Sequence, residues 1–174
     1  DVVDALTGPL IGRPKSATYR TMDVVGLDTM KHVVRNMQQD LKEDPWSAFF
    51  KVPEWLEGLV EKGALGQKTH AGIYKKEKDG IYVFDSKENH YRPSSGKASG
   101  EVTEIFKLPL EKQVSALRAS SNPQAQFLWA CFRDLFHYSA THLQSIAEKT
   151  SDVDLCMRWG YGWLQGPFEQ WQAW

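Results

Sequence analysis

Apolar residues recur at helical spacing along most of this chain and alternate in only one short stretch. Val2, Val3, Ala5 and Leu6 follow Asp1, which can cap a short helix with Asp4 near its first turn. Thr7-Gly8-Pro9 breaks that helix, and residues 10–16 read as a loop punctuated by Gly12 and Pro14. Residues 17–25 read as a second short helix. Gly26 interrupts, and residues 27–39 continue as a helix in which Met30, Val33, Val34 and Met37 form an apolar stripe. Residues 40–51 are polar, contain Pro45 and read as a loop. Pro53 suits a first helical position, Trp55, Leu56, Leu59 and Val60 share one face, and Gly63 suits the C-terminal cap.

The periodicity then changes to two. Residues 73–77 and 81–85 flank Lys78-Asp79-Gly80, a hairpin turn signal, and His90-Tyr91-Arg92 offers a third short strand. Residues 93–100 are small and polar and read as a linker. Beyond it, Pro109 opens a helix to about Ala119. Asn122 as cap and Pro123 at the first position start the longest helix, to about Lys149. Its expected apolar face is Leu128, Cys131, Leu135, Tyr138 and Ile146. Ser151 is read as the cap of a short helix, with Asp154 three residues on and Gly160 at its end. Gly166-Pro167 starts another.

The two ends resemble each other. Residues 1–6 (Asp-Val-Val-Asp-Ala-Leu) parallel residues 151–156 (Ser-Asp-Val-Asp-Leu-Cys), and Ala17-Thr18-Tyr19-Arg20 parallels Gly166-Pro167-Phe168-Glu169 with one residue of slack. The same order of elements at both ends predicts a duplicated helical unit.

The overall balance of charge narrows the function. Lys and Arg number 21 against 22 Asp and Glu, a net charge of −1, which argues against nucleic-acid binding driven by bulk charge. No run of 18 apolar residues exists, so no membrane-spanning helix is expected. Cys131 and Cys156 make no disulfide framework, which fits a reducing, cytoplasmic setting. The acidic opening lacks both a starting Met and a secretory apolar run, and an aromatic segment ends at Trp174; we read the chain as a piece of something longer.

One cluster carries the chemistry. Arg13 and Lys15, with Ser16, Thr18 and Arg20, sit in a loop before a helix start, where backbone N–H groups and basic side chains favour an anion. The alternative is that these cations are solvated or pair with local carboxylates such as Asp23. Gly160, Gly162 and Gly166 miss the dinucleotide spacing by one residue and follow no strand, so a tight packing turn is expected there. Pro14 separates Arg13 from Lys15, which rules out a Walker loop. Lys68-Thr69 reads as a turn with a hydrogen-bonding Thr. His137 and His142 are five apart and face different ways, so no metal pair is expected. Trp159, Trp163, Trp171 and Trp174 point to an interface between the two copies or the wall of an apolar groove.

Three segments together carry a family resemblance. They are residues 7–28 (Thr-Gly-Pro-Leu-Ile-Gly-Arg-Pro-Lys-Ser-Ala-Thr-Tyr-Arg-Thr, then Asp23-Val-Val-Gly-Leu-Asp), residues 65–74 (Leu-Gly-Gln-Lys-Thr, then Gly72-Ile-Tyr), and residues 158–171 (Arg-Trp-Gly-Tyr-Gly-Trp, then Gly166-Pro-Phe-Glu-Gln-Trp). They resemble the C-terminal helical region of the 3-hydroxyacyl-CoA dehydrogenases of fatty-acid β-oxidation, in the long bacterial type that carries two copies and is often fused to an enoyl-CoA hydratase. The resemblance implies an all-α, mainly helical fold: two copies of the 6-phosphogluconate-dehydrogenase-C-terminal-like helical domain packed together as an internal pseudo-dimer, with a small β-hairpin insert. Residues 1–95 would be the first repeat with its insert, and residues 96–174 the second, cut short before its closing helices. It further implies an NAD-dependent parent that oxidises (3S)-3-hydroxyacyl-CoA to 3-oxoacyl-CoA. The catalytic His–Glu pair and the NAD fingerprint would then lie upstream of Asp1. This chain would hold no catalytic, cofactor or metal residue, would complete the substrate cleft through Arg13, Lys15, Ser16, Thr18 and Arg20, and would be inactive alone, as a monomer or homodimer. A non-enzymatic helical module that binds a protein through its aromatic end is the competing reading.

Overall fold

A computed structural model describes all residues from Asp1 to Trp174. It is mostly helical: α1 (Val2–Thr7), α2 (Tyr19–Val25), α3 (Leu27–Asp40), α4 (Glu54–Glu61), α5 (Gly100–Ile105), α6 (Leu110–Ala119), α7 (Pro123–Ile146), α8 (Thr150–Tyr161) and α9 (Pro167–Ala173). Between α4 and α5 lies one antiparallel sheet of β1 (Tyr74–Glu77), β2 (Gly80–Asp85) and β3 (His90–Pro93), in the order β1-β2-β3. The chain forms two compact units. The first holds Asp1 and Thr18–Ser95; the second holds Val2–Ala17 and Gly96–Trp174. The expected range 1–95 is therefore not one body, because residues 2–17 pack with the C-terminal half.

In the first unit Leu27, Leu56, Leu59, Ile73 and Val83 form the buried core, bordered by Tyr19, Trp55 and Tyr91. Gly26, at φ 104, lets α2 and α3 follow each other with a single intervening residue. Of the stripe expected on α3, Met30, Val34 and Met37 are half-buried and Val33 is exposed. The side chain that the core takes from this helix is Leu27, the first residue, which the reading omitted. The hairpin register pairs Glu77 with Gly80 and Lys76 with Ile81, so the turn is Lys78-Asp79. Asp79 holds the turn by accepting from the Tyr82 hydroxyl at 2.7 Å.

Asp1 ties the start of the chain to β3: its carboxylate accepts from Arg92 at 2.9 and 3.1 Å and from the Ser95 N–H at 3.1 Å. Arg92 also donates to Asp85 at 3.0 Å, and the Lys87 and Glu88 N–H groups converge on the same carboxylate. The Arg92 hydrogen bond, first, and these N–H groups hold the Asp85 pKa below the ordinary carboxylate value. A depressed folded-state pKa means this contribution to stability is complete above the ordinary value near ~3.9. It is lost as pH falls through the lower folded value. A carboxyl NMR titration should therefore place the Asp85 midpoint below that of Asp in unstructured peptides; a midpoint at or above the peptide value would contradict the arrangement.

In the second unit Leu6 and Ile11 join Val102, Ile105, Leu117, Ala125, Leu128, Phe132 and Phe136 in one core. Helix α5 lies just after the expected linker. Ser99, inside that linker, caps it by accepting from the Val102 N–H. The buried face of α7 is Ala125, Leu128, Phe132, Phe136 and Ser139. Of the expected face only Leu128 is fully buried; Cys131, Leu135 and Tyr138 are half-buried, and Ile146 is 64 % exposed. A 24-residue helix with apolar side chains around most of its circumference lets the rings of Phe132 and Phe136 outbid the smaller Cys131. Helix α8 begins two residues earlier than expected: Lys149 rather than Ser151 is its N-cap, and Asp152 accepts from the Lys149 N–H at 3.1 Å. Gly160 lies inside α8, and Gly162, left-handed at φ 66, ends it.

Candidate functional site

The five residues expected to hold an anion divide between the units. Arg13, Lys15 and Ser16 belong to the second unit, Thr18 and Arg20 to the first.

In the second unit the loop at residues 8–16 starts as a single 3₁₀ turn (Pro9–Ile11) that Gly12 ends in the left-handed region at φ 71. The Gly12 carbonyl accepts from the Leu164 N–H at 2.9 Å. The Arg13 guanidinium then lies 4.0 Å from the centre of the Trp163 ring. Burial, the largest influence, draws the Arg13 pKa down, while neighbouring Cys131 acts the other way. Lys15 is exposed and Ser16 half-buried at the turn where the Ala17 N–H donates to Pro14 O at 2.9 Å. Two of the segments that carry the family resemblance, around residues 8–16 and 158–169, thus meet face to face.

The glycine–aromatic run is a helix–turn–helix. Asp154, in α8, accepts from the Phe168 and Glu169 N–H groups at 2.8 and 3.1 Å and so caps α9 across the turn. Glu169 returns to its own helix start by accepting from the Gly166 N–H at 2.9 Å and pairs with Arg158 at 2.9 Å. A Cβ on Gly166 would collide with the Asp154 backbone, so glycine is required there for close approach. Burial and the Glu169 charge raise the Asp154 pKa against the two N–H bonds. Gly166 alone is held by close packing, Gly162 ends α8 and Gly160 faces open space; the run lacks the strand–turn–helix form that would present N–H groups to a dinucleotide.

In the first unit, α2 ends beside the start of the sheet. Asp23 is 4 % exposed, and its carboxylate accepts from the Ile73 N–H at 2.7 Å and the Tyr74 N–H at 2.8 Å. Asp23 thus fixes the start of β1 to α2 through the backbone. The turn before it is organised by Thr69, whose hydroxyl accepts from the Leu65 N–H at 2.8 Å and donates to Ala71 O at 3.0 Å; Lys68 pairs with Asp28 at 2.7 Å. Against this latch opens a cleft of about 790 Å³, lined among others by Arg20, His70, Tyr74, Lys76, Lys78 and Ile81. The Arg20 guanidinium sits 5.0 Å from the centre of the Tyr74 ring. From the sequence the Lys75-Lys76-Glu77-Lys78 run reads as a hairpin arm only. Its one available signal was the concentration of cations in a chain of net charge −1.

With the geometry in view, the relatives can be placed. Residues 1–76 match the family model for the 3-hydroxyacyl-CoA dehydrogenase, C-terminal domain. A probable 3-hydroxyacyl-CoA dehydrogenase of Bacillus subtilis is 41 % identical over 180 residues, 98 % of this chain and 22 % of that protein. A probable 3-hydroxyacyl-CoA dehydrogenase of Deinococcus radiodurans is 43 % identical over 77 residues, covering 44 % of this chain and 21 % of its own. A putative fatty acid oxidation complex trifunctional enzyme of Rickettsia prowazekii is 23 % identical over 177 residues, 96 % of this chain and 22 % of that protein. The chain belongs with the C-terminal region of the 3-hydroxyacyl-CoA dehydrogenases, as its motifs imply. It spans about a fifth of the length of these relatives. No helix is long and apolar enough to cross a membrane.

Proposed function

We propose that this chain is the C-terminal helical part of a cytoplasmic, NAD-dependent (3S)-3-hydroxyacyl-CoA dehydrogenase of fatty-acid β-oxidation, and that it completes the substrate cleft without performing the chemistry. The observation that carries the reading is the 41 % identity that runs through 98 % of the chain. The residues here do not fit NAD: the one glycine-rich run is a helix–turn–helix held by Asp154, with Gly166 packed against Asp154. Hydride transfer is therefore assigned to the remainder of the parent, and no step of it to this chain.

Within this reading Arg13 and Lys15, with Ser16, contact the anionic end of the thioester substrate. The duplicated unit, packed as an internal pseudo-dimer, belongs to the same proposal. Burial of Asp4 and Asp154, at 8 % and 5 % exposure, supports it, because these are the residues the repeat equates. So does the bond between the equivalent loops at Gly12 and Leu164. The competing interaction-module reading draws on one feature, the exposure of Trp159 (80 %), Tyr161 (63 %) and Leu164 (75 %).

The test has two parts. The purified chain with NAD and (3S)-3-hydroxybutyryl-CoA should give no NADH absorbance; turnover would overturn the assignment of catalysis elsewhere. Titration with acetoacetyl-CoA, followed through tryptophan fluorescence, should saturate and be weakened by Arg13→Ala and Lys15→Ala. No binding up to millimolar ligand would remove the substrate-contact role.

A further inference from the structure

We propose that Trp163 is a positioning residue: its ring seats the Arg13 guanidinium so that the N–H edge of that side chain is presented to the oxyanion of a ligand. The proposal rests on the dehydrogenase reading, in which Arg13 meets the anionic end of the substrate, and adds the residue that holds Arg13 in place to do so. Both side chains belong to the second unit. Their loops meet in an antiparallel run of three contacts. The Leu164 N–H donates to Gly12 O at 2.9 Å, the Arg13 guanidinium lies 4.0 Å from the centre of the Trp163 ring, and a Cβ on Gly162 would stand 3.5 Å from the Pro14 ring. Gly162, left-handed at φ 66, turns the chain out of α8 just before Trp163. An arginine covered on one face by an aromatic ring keeps its N–H donors, which point outward in the guanidinium plane.

The fold supplies no anion of its own to this guanidinium. The one titratable side chain that acts on it is Cys131, and burial pushes that thiol above its ordinary pKa, so it stays neutral beside Arg13. Asp134, the carboxylate nearest in sequence to Cys131, is taken by Arg133 at 2.8 Å. Arg13 is half-buried, and loss of water disfavours its charge, which draws its pKa down. The face of Trp163 offsets part of that loss without occupying a single N–H donor. A cation held in this way, with its donors unspent on the protein, is preorganised for a two-pronged contact with an oxyanion. Lys15, exposed two residues further on, adds a second positive charge on the same loop. Without the ring, Arg13 would have to give up its rotamer freedom at the moment of binding.

A double-mutant cycle tests this, read by calorimetric titration of acetoacetyl-CoA into the whole chain, since one of the changed residues is a fluorophore. Arg13→Ala is expected to weaken binding about tenfold, and Trp163→Leu about fivefold. Trp163→Phe, which restores a ring face, should weaken it no more than about twofold. In the Arg13→Ala background Trp163→Leu should add less than about twofold, because the ring acts through the guanidinium. Effects that multiply, or a phenylalanine variant as weak as the leucine one, would overturn the positioning role. Arg13→Ala weakened while Trp163→Leu binds as the parent does would sink the positioning role and leave the substrate contact standing. Arg13→Ala binding as the parent does, or no binding at all, would remove both. Nuclear magnetic resonance of the unaltered chain supplies a readout that no misfolded variant can blur. The Arg13 Nε–H resonance should shift during the titration, with no Overhauser contact between the ligand and the Trp163 ring; a stationary Arg13 resonance or a direct ring contact would refute the assignment.

Discussion

Asp23→Ala is expected to cost the first unit about 3–5 kcal/mol, a large share of the roughly 5–15 kcal/mol that holds an ordinary domain folded. The carboxylate joins α2 to the start of β1 across fifty residues, and nothing nearby can replace it. Alanine would leave the Ile73 and Tyr74 N–H groups buried without an acceptor, and each such group costs about 1–3 kcal/mol. The packing has been shaped around this contact: a Cβ on Gly72 would strike the Asp23 carboxylate, and one on Gly66 would strike the Asp23 carbonyl. Asp23→Asn should fall between, since one amide oxygen can still accept while the amide nitrogen faces a second donor. Urea denaturation, with hydrogen exchange at Ile73 and Tyr74, checks the expectation. A loss below about 1 kcal/mol for the alanine variant would show that the latch adds little.

Phe132→Ala is expected to cost the second unit about 3–5 kcal/mol. Phe132 is 1 % exposed, and its ring meets Trp174 edge-on at 4.4 Å between centroids, Phe136 at 6.1 Å and Phe106 at 6.5 Å. Truncation removes the shared partner of helices α5–α7 and of the chain end at once, and a rigid aromatic lattice collapses poorly into the space left. Phe132→Leu should recover most of the loss, because volume rather than ring geometry is the larger part. Thermal denaturation measures the cost, and near-ultraviolet circular dichroism reports whether the ring cluster loosens. An alanine variant that keeps both would contradict this account of the core.

Much of the fold was legible because short-range signals set it. Pro53, Pro123 and Pro167 stand at helix starts with a preset φ, Asn122 adds a side-chain acceptor, and Lys78-Asp79 turns a chain whose apolar period has already changed to two. What escaped was decided by partners far along the chain. Asp154 reads locally as part of its own helix start, yet its carboxylate caps α9. Ser99 sits in a run of linker composition, and its capping of α5 becomes clear only with Val102 and Ile105 buried against the core. Phe132 and Phe136 displaced Cys131 from the centre of the α7 face because ring volume, not spacing, decided which side was covered. The site followed the same division. The basic loop around Arg13 and Lys15 was visible as a loop before a helix start, whereas its stacking on Trp163 depends on a residue 150 positions away. The cations of the β1–β2 hairpin read from sequence only as a hairpin arm, and the cleft they line with Arg20 depends on α2 ending beside the sheet.

The second unit is discontinuous, and that sets an order of assembly. Val2–Ala17 contributes Leu6 and Ile11 to a core whose other members begin at Val102, so this segment has no apolar partner until the chain beyond the first unit exists. The first unit, apart from Asp1, is a continuous stretch from Thr18 to Ser95 and can close on itself as soon as it emerges from the ribosome. Joining α1 to α7 across an unstructured insert would carry the closure entropy of a loop of roughly eighty residues. Once the insert has folded, its two ends are held at a fixed separation, and most of that entropy has already been spent within the insert's own core. The early unit thus acts as an internal splint for the late one, and a lesion in the Asp23 latch would slow assembly of a core to which it contributes no atom.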